Sequence, residues 1–181
     1  QEMAIRYAVS GITTSSTGDA LLPTQRMSSI LRELQDEQLE LLIDEQNITL
    51  KAAAAKFRLT SEDPQEYPPV PQFSDENYFR IPAPVFRQMI RRTTFATDTE
   101  STRYALGGLL LEFNEGMVTL AATDSRRLAV ATAACEKHGT PESPAKATVV
   151  PTKAMSLLER SIDPQAEFVD IAVHENDVMM R

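Results

Sequence analysis

The stretch TVVPTKAMSLLER, residues 148–160, decides the fold: a short β-branched run meets Pro151, and a helical pattern begins at once. Proline has a fixed φ and no N–H, so it suits the end of a strand or the first turn of a helix and little else. Ala154, Leu157 and Leu158 are expected to face inward, with Lys153 and Arg160 together on another face. The same grammar occurs twice earlier. LLPTQRMSSILREL, residues 21–34, predicts a helix from Pro23 to about Leu34 with Met27, Ile30, Leu31 and Leu34 inward. FRIPAPVFRQMIRR, residues 79–92, predicts a short strand, then a helix opened by Pro82 with Val85, Phe86, Met89 and Ile90 inward.

Alternating runs follow each helix. Leu39, Leu41 and Ile43, then Ile48, Leu50 and Ala52, then Phe57 and Leu59 read as three strands; LLLEF, MVTLAAT and SRRLAVATA follow the second helix, and EFVDIAV with DVMMR the third. The chain therefore repeats a unit of strand, proline, helix and several strands. One unit is too small to bury a two-sided core, but two side by side can. With no parallel crossover pattern, the expected class is α+β, helices lying on one face of antiparallel sheets.

Residues 61–77, SEDPQEYPPVPQFSDEN, hold Pro64, Pro68, Pro69 and Pro71 among five acidic residues, predicting an extended, stiff connection and a domain boundary. The opening MAIRYAV, residues 3–9, reads as a strand resembling the last strand of an earlier copy, and SGITTSSTGD as a flexible loop. The third copy stops short. A piece cut from a longer repetitive protein is the expectation.

The 181 residues, 42% hydrophobic, suffice for a sizeable core. With 18 basic against 26 acidic residues the net charge is -8, which excludes a uniformly basic nucleic-acid binder and broad adhesion to anionic membranes. A local basic surface remains compatible with it. The single Cys135 has no internal disulfide partner, and Cys135 and His138, placed in a loop before Gly139 to Pro144, suggest no chemistry. No metal or cofactor is expected, and a cytoplasmic setting fits best.

Charge on the helices runs against the total. The first carries Arg26 and Arg32 against Glu33, the second Arg87, Arg91 and Arg92 with no acid of its own, and the third Lys153 and Arg160 against Glu159. Aligned on one side, such helices make a basic track for phosphates; the plainer alternative is that Lys and Arg simply favour helices. AATDSRRLAV, residues 121–130, sets Asp124, Arg126 and Arg127 in a tight connection between alternating runs. Such a turn either presents side chains to a partner or is merely solvated. Asp98, Glu100, Asp124 and Ser125 are the material for a catalytic reading, but neither histidine is near in sequence and no phosphate loop or nucleophile elbow occurs. Asp124 fits better as a turn former, so a non-catalytic protein is expected.

RYALGGLLLEF, residues 103–113, followed by LAATDSRRLAV, residues 120–130, resembles the central domain of the bacterial DNA polymerase III beta subunit family, the sliding clamps. LPTQRMSSILREL and KFRLTSEDPQEYPPVP resemble that family's first domain and linker. The resemblance implies a clamp fold, with residues 1–72 the C-terminal part of domain 1 plus linker, 73–181 a C-terminally incomplete domain 2, and domain 3 absent. It implies a processivity factor that forms a homodimeric ring around duplex DNA without reading sequence. It also implies a pocket for short linear motifs of the replicative polymerase, clamp loader and repair proteins, its wall here being Leu106, Thr123, Ser125, Arg126, Arg127 and Leu128. Ser125 stands where many relatives have Gly, and Arg126 where many have His. DNA contacts implied by resemblance fall on Gln25 and Tyr104; the helix charge pattern adds Arg26, Arg87, Arg91, Arg92 and Lys153. A peptide-binding scaffold with no DNA role is the alternative.

Overall fold

The computed structural model describes residues 3–36, 38–44, 47–141, 147–175 and 177–181, with the Tyr104 side chain left outside that description. The chain divides into two compact units, one ending at Pro71 and the other spanning Gln72–Arg181.

In the first unit, α1 (Thr24–Glu33) is followed by an antiparallel meander of β1 (Glu40–Ile43), β2 (Asn47–Lys51) and β3 (Lys56–Thr60), in that order across the sheet. Pro23 is extended and immediately precedes the helix, and Leu21 bridges to Glu62. Ile48, Leu50 and Leu59 are buried, and Met27 and Ile30 pack against them. Leu31, expected inward, is 48% exposed. It lies one 100° step from Ile30, and the small sheet reaches only the Met27–Ile30 flank. Residues 3–9 form no strand and are exposed. Alternation sorts side chains onto faces, but a strand also needs a neighbour's N–H and C=O groups, and no described residue supplies them.

The second unit runs β4 (Tyr78–Pro82), α2 (Ala83–Thr93), β5 (Gly108–Asn114), β6 (Met117–Thr123), β7 (Leu128–Ala134), β8 (Glu136–His138), β9 (Thr148–Pro151), α3 (Thr152–Ser161), β10 (Phe168–Val173) and β11 (Val178–Met180). Two antiparallel sheets result, ordered β11-β10-β4-β8 and β7-β6-β5-β9. Each helix leaves one sheet and the chain then enters the other. β4, before α2, pairs with β10, after α3; β9, before α3, pairs with β5, after α2. Both crossings are pinned alike: the residue after the proline donates its N–H to the opposing strand's approach, Ala83 to the Glu167 carbonyl at 2.9 Å and Thr152 to the Gly107 carbonyl at 3.1 Å.

The core lies where the sheets meet the helices. Phe79 of β4 stacks on Phe113 of β5 with ring centroids 4.0 Å apart, and α2 adds Ala83, Phe86, Met89, Ile90 and Thr93. Val85 is instead 38% exposed, a step out of phase with that stripe. On α3 the fully buried side chain is Met155, while Ala154, Leu157 and Leu158 are half-buried. His138 is not in a loop: it belongs to β8, opposite Tyr78, with the two rings stacked at 4.7 Å. Polar Glu-Lys-His carries no alternation signal, so pairing with β4 alone makes it a strand. Cys135 is half-buried against the core, which pushes its thiol pKa up. Pro144 of the expected loop lies outside the described residues.

Asp170 of β10 is 5% exposed and bound by two guanidiniums, Arg80 through Nε at 2.7 Å and Nη2 at 3.0 Å, and Arg181 through Nη2 at 2.7 Å. Burial would raise its carboxyl pKa, but these bonds outweigh burial and hold it below the usual range. His174 bonds carboxylates through both ring nitrogens, Asp177 at 2.6 Å and Asp75 at 2.8 Å.

Two outcomes follow from this packing. Pro151 faces Gly108, where an added Cβ would lie 2.5 Å from the Val150 carbonyl oxygen. Gly108→Ala should therefore lower unfolding free energy by about 1–3 kcal/mol in denaturant melts, whereas Gly18→Ala, with open space around it, should not. The bonds from Asp177 and Asp75 raise the His174 pKa above its ordinary value. Its stabilisation is thus complete below the unfolded pKa of about 6.5 and lost as pH rises through the folded value. The stability gap between wild type and His174→Gln should shrink as melts move from about pH 6 to about pH 9.

Candidate functional site

The connection from β6 to β7 is a rigid knot. The Asp124 Oδ1 accepts the N–H groups of Arg126 and Arg127, each at 3.0 Å, while Oδ2 accepts from the Arg127 Nε at 2.8 Å. The Thr123 hydroxyl donates to the Arg127 carbonyl at 2.8 Å and accepts the Ser125 N–H at 3.1 Å. Ser125 sits at φ +74°, a left-handed conformation that glycine adopts most readily. The hydrogen bond from the Arg126 N–H, then those from Arg127, hold the Asp124 carboxyl below its ordinary pKa. Asp124 is spent on the turn, and so is the Arg127 Nε.

Beyond the knot, β7 alternates. Leu128 and Val130 are 70% and 56% exposed on one face, with Ala129 buried between them. Leu106 is half-buried and ends the 3-10 turn Tyr104–Leu106; its carbonyl accepts the Asp98 N–H at 2.8 Å. Since Leu110 pairs with Ala121, the start of β5 and the end of β6 lie at the same end of the sheet. Leu106, two residues before Gly108, thus emerges at the end where the Asp124–Arg127 connection turns. The Arg127 guanidinium also lies 5.5 Å from the centroid of Phe95, a 59% exposed ring in the 3-10 turn Thr94–Ala96. Phe95 is absent from the residues singled out by sequence. The signal for it is phase: two residues past Thr93 it stands about 200° from the buried stripe of α2.

The helix cations divide differently from expectation. Arg87 and Arg91 both donate through Nε to the Glu159 Oε1 of α3, at 3.2 and 2.6 Å. Burial would raise the Glu159 pKa, but these two guanidiniums hold it below the carboxylate range. The acid missing from α2 is therefore supplied by its neighbour, and counting charges helix by helix could not find it. Arg92 and Lys153 are exposed and have no ion-pair partner among the described residues. Arg87, Arg91 and Arg92 line an open groove of about 580 Å³ with Val85, Ile162 and Asp163. Gln25 and Arg26 are exposed on the first turn of α1, in the other unit; the Tyr104 side chain lies outside the described residues. Among the described residues, no group of three His, Cys, Asp or Glu could hold a metal ion, and no helix is long and apolar enough to cross a membrane.

Known proteins share both the sequence and this geometry. Residues 80–181 match the model of the DNA polymerase III beta subunit, central domain, and residues 1–71 that of its N-terminal domain. The chain is 30% identical over 171 residues to the beta sliding clamp of Halalkalibacterium halodurans, covering 94% of this chain and 45% of that protein. It is 32% identical to the beta sliding clamp of Staphylococcus epidermidis, covering 99% of this chain and 48% of the relative. The solved DNA polymerase sliding clamp from Bacillus subtilis superposes with a TM-score of 0.80 at 29% identity, covering 93% of this chain and 44% of that one. The chain thus spans about half the length of these relatives.

Proposed function

Because this chain belongs to the DNA polymerase III beta subunit family, we propose that it forms part of a DNA sliding clamp, a processivity factor that encircles duplex DNA and tethers a polymerase to it. In this reading residues 1–72 are the C-terminal part of the first clamp domain with its linker, residues 73–181 are the central domain, and a third domain lies outside this sequence. The intact protein is a homodimeric ring in the cytoplasm. Its role is non-catalytic: what it contributes to synthesis is persistence.

One observation carries the DNA side of this reading. α2 and α3 lie against each other, joined through Glu159, and keep Arg92, Lys153 and Arg160 exposed in a chain of net charge -8. Exposed cations on a rigid helical pair attract phosphates diffusely and read no base edges, which suits a body that must slide. Persistence then comes from topology rather than from tight binding. Arg91, Arg92 and Lys153 are the contacts we assign in this unit, with Arg87 holding Glu159 in place; Gln25, Arg26 and Tyr104 complete the set carried over from the sequence.

The Asp124–Arg127 turn is the second working part. Leu128, Leu106 and the Thr123 methyl offer an apolar wall for a Leu or Phe of a partner's linear motif, and the free Nη groups of Arg127 can donate to a peptide carbonyl. Replicative polymerase, clamp loader and repair proteins are the partners of such a pocket. A scaffold that binds peptides without DNA shares this turn but predicts that helix charge is irrelevant.

The two are separated in the full-length protein by Arg92→Glu with Lys153→Glu. Retention on nicked circular DNA should fall, and the slope of log affinity against log salt should drop by about 0.9 for each phosphate that the variant no longer neutralises. Binding of a motif peptide should persist. Unchanged retention would assign the molecule to the scaffold reading.

A further inference from the structure

α2 carries Arg87, Arg91 and Arg92, and two of these arginines are not free. Arg87 and Arg91, one turn apart, both give their Nε to a single oxygen of Glu159 on α3, whereas Arg92, next to Arg91 in sequence, has no ion-pair partner among the described residues. The Glu159 side chain is 16% exposed, against 30% for Arg87 and 61% for Arg91. Its two guanidinium partners outweigh burial and keep it ionised. Arg91 is thus an exposed cation that meets solvent with a carboxylate already on it.

The consequence for phosphate binding follows from the chemistry of arginine. An open guanidinium takes a phosphate through two parallel N–H bonds, a contact that fixes position as well as neutralising charge. One that faces a carboxylate at 2.6 Å must share or surrender that partner first, so a phosphate gains less from it. Three open forks on one helix would hold a duplex in place. With Glu159 reaching over from α3, only Arg92 keeps its fork open on α2.

We infer that Glu159 is a positioning residue that limits the grip of the α2–α3 face on DNA, competing with phosphate for Arg91. Arg87, the less exposed of its two partners, steadies the carboxylate, and the carboxylate in turn occupies Arg91. The inference rests on the reading of this face as the DNA side and adds to it an acid that loosens the contact. The competition takes place at a largely exposed guanidinium, so its effect is modest and sensitive to salt.

The test is binding of the full-length protein to a short linear duplex, followed by fluorescence anisotropy across a salt series, where topology plays no part. Glu159→Gln removes the charge and keeps an oxygen acceptor for the arginines. It should bind more tightly than wild type in about 50 mM salt, with the slope of log affinity against log salt steeper by about 0.9, so that its advantage shrinks about threefold by about 200 mM. Adding Arg91→Gln should cancel most of that gain. A gain that survives in full without Arg91 would overturn the inference. So would a Glu159→Gln protein that melts at lower temperature with the wild-type slope, since Glu159 is then only a staple between helices. If Glu159→Gln does not fold, the neighbouring arginines decide: Arg91→Gln should flatten the slope less than Arg92→Gln does, and equal or greater flattening would overturn the inference. Binding left unchanged by Arg92→Glu with Lys153→Glu would instead overturn the reading of this face as the DNA side, and the inference with it.

Discussion

The second unit depends on an exchange of strands. β4 leaves its own half to pair with β10, and β9 leaves its half to pair with β5. The residue after each proline then locks the crossing with one N–H bond. Because α2 and α3 start at those crossings, the register of two strand pairs fixes where the helices begin, and the Phe79–Phe113 stack joins the sheets behind them. Proline suits the junction for a definite reason: it ends the strand where a ladder N–H is dispensable and opens the helix where an N–H would have no partner.

Charge is distributed in keeping with that frame. Acidic groups that are wholly or largely covered are consumed by arginines: Asp170 by Arg80 and Arg181, and Glu159 by Arg87 and Arg91. Such pairs position elements more than they stabilise them, since desolvation offsets much of the attraction. Asp124 does the same for a turn. Arg92, Lys153 and Arg160 on α2 and α3 and Arg126 on the turn are exposed and have no ion-pair partner among the described residues, and Arg91 stays 61% exposed beside Glu159.

The repeat is legible in the sequence because proline has few places to stand, and the strands because their alternation is long and regular. The strand exchange is not, since periodicity says which face a residue takes and nothing about a partner strand 37 to 43 residues away, as for β5 and β9, or 86 to 92 away, as for β4 and β10. The same blindness hides Glu159 from Arg87 and Arg91, and Tyr78 from His138. Asp124 is readable as a turn former from its local bonds, which are short in sequence and strongly typed. Phe95 is not, because an aromatic just past a helix reads as core until its phase is counted. MAIRYAV misleads in the opposite way, showing a strand's pattern without a strand's neighbour.

In the sliding-clamp reading proposed above, the α2–α3 face, and not the sheets, is turned toward DNA. Photo-cross-linkers at Gln88 and Arg160, one exposed on each helix, and at Phe168, 44% exposed on β10, test it in the full-length protein loaded on circular duplex. Cross-links to DNA from Gln88 and Arg160 and none from Phe168 is the result expected. Cross-links from Phe168 with silence from both helices would contradict the account.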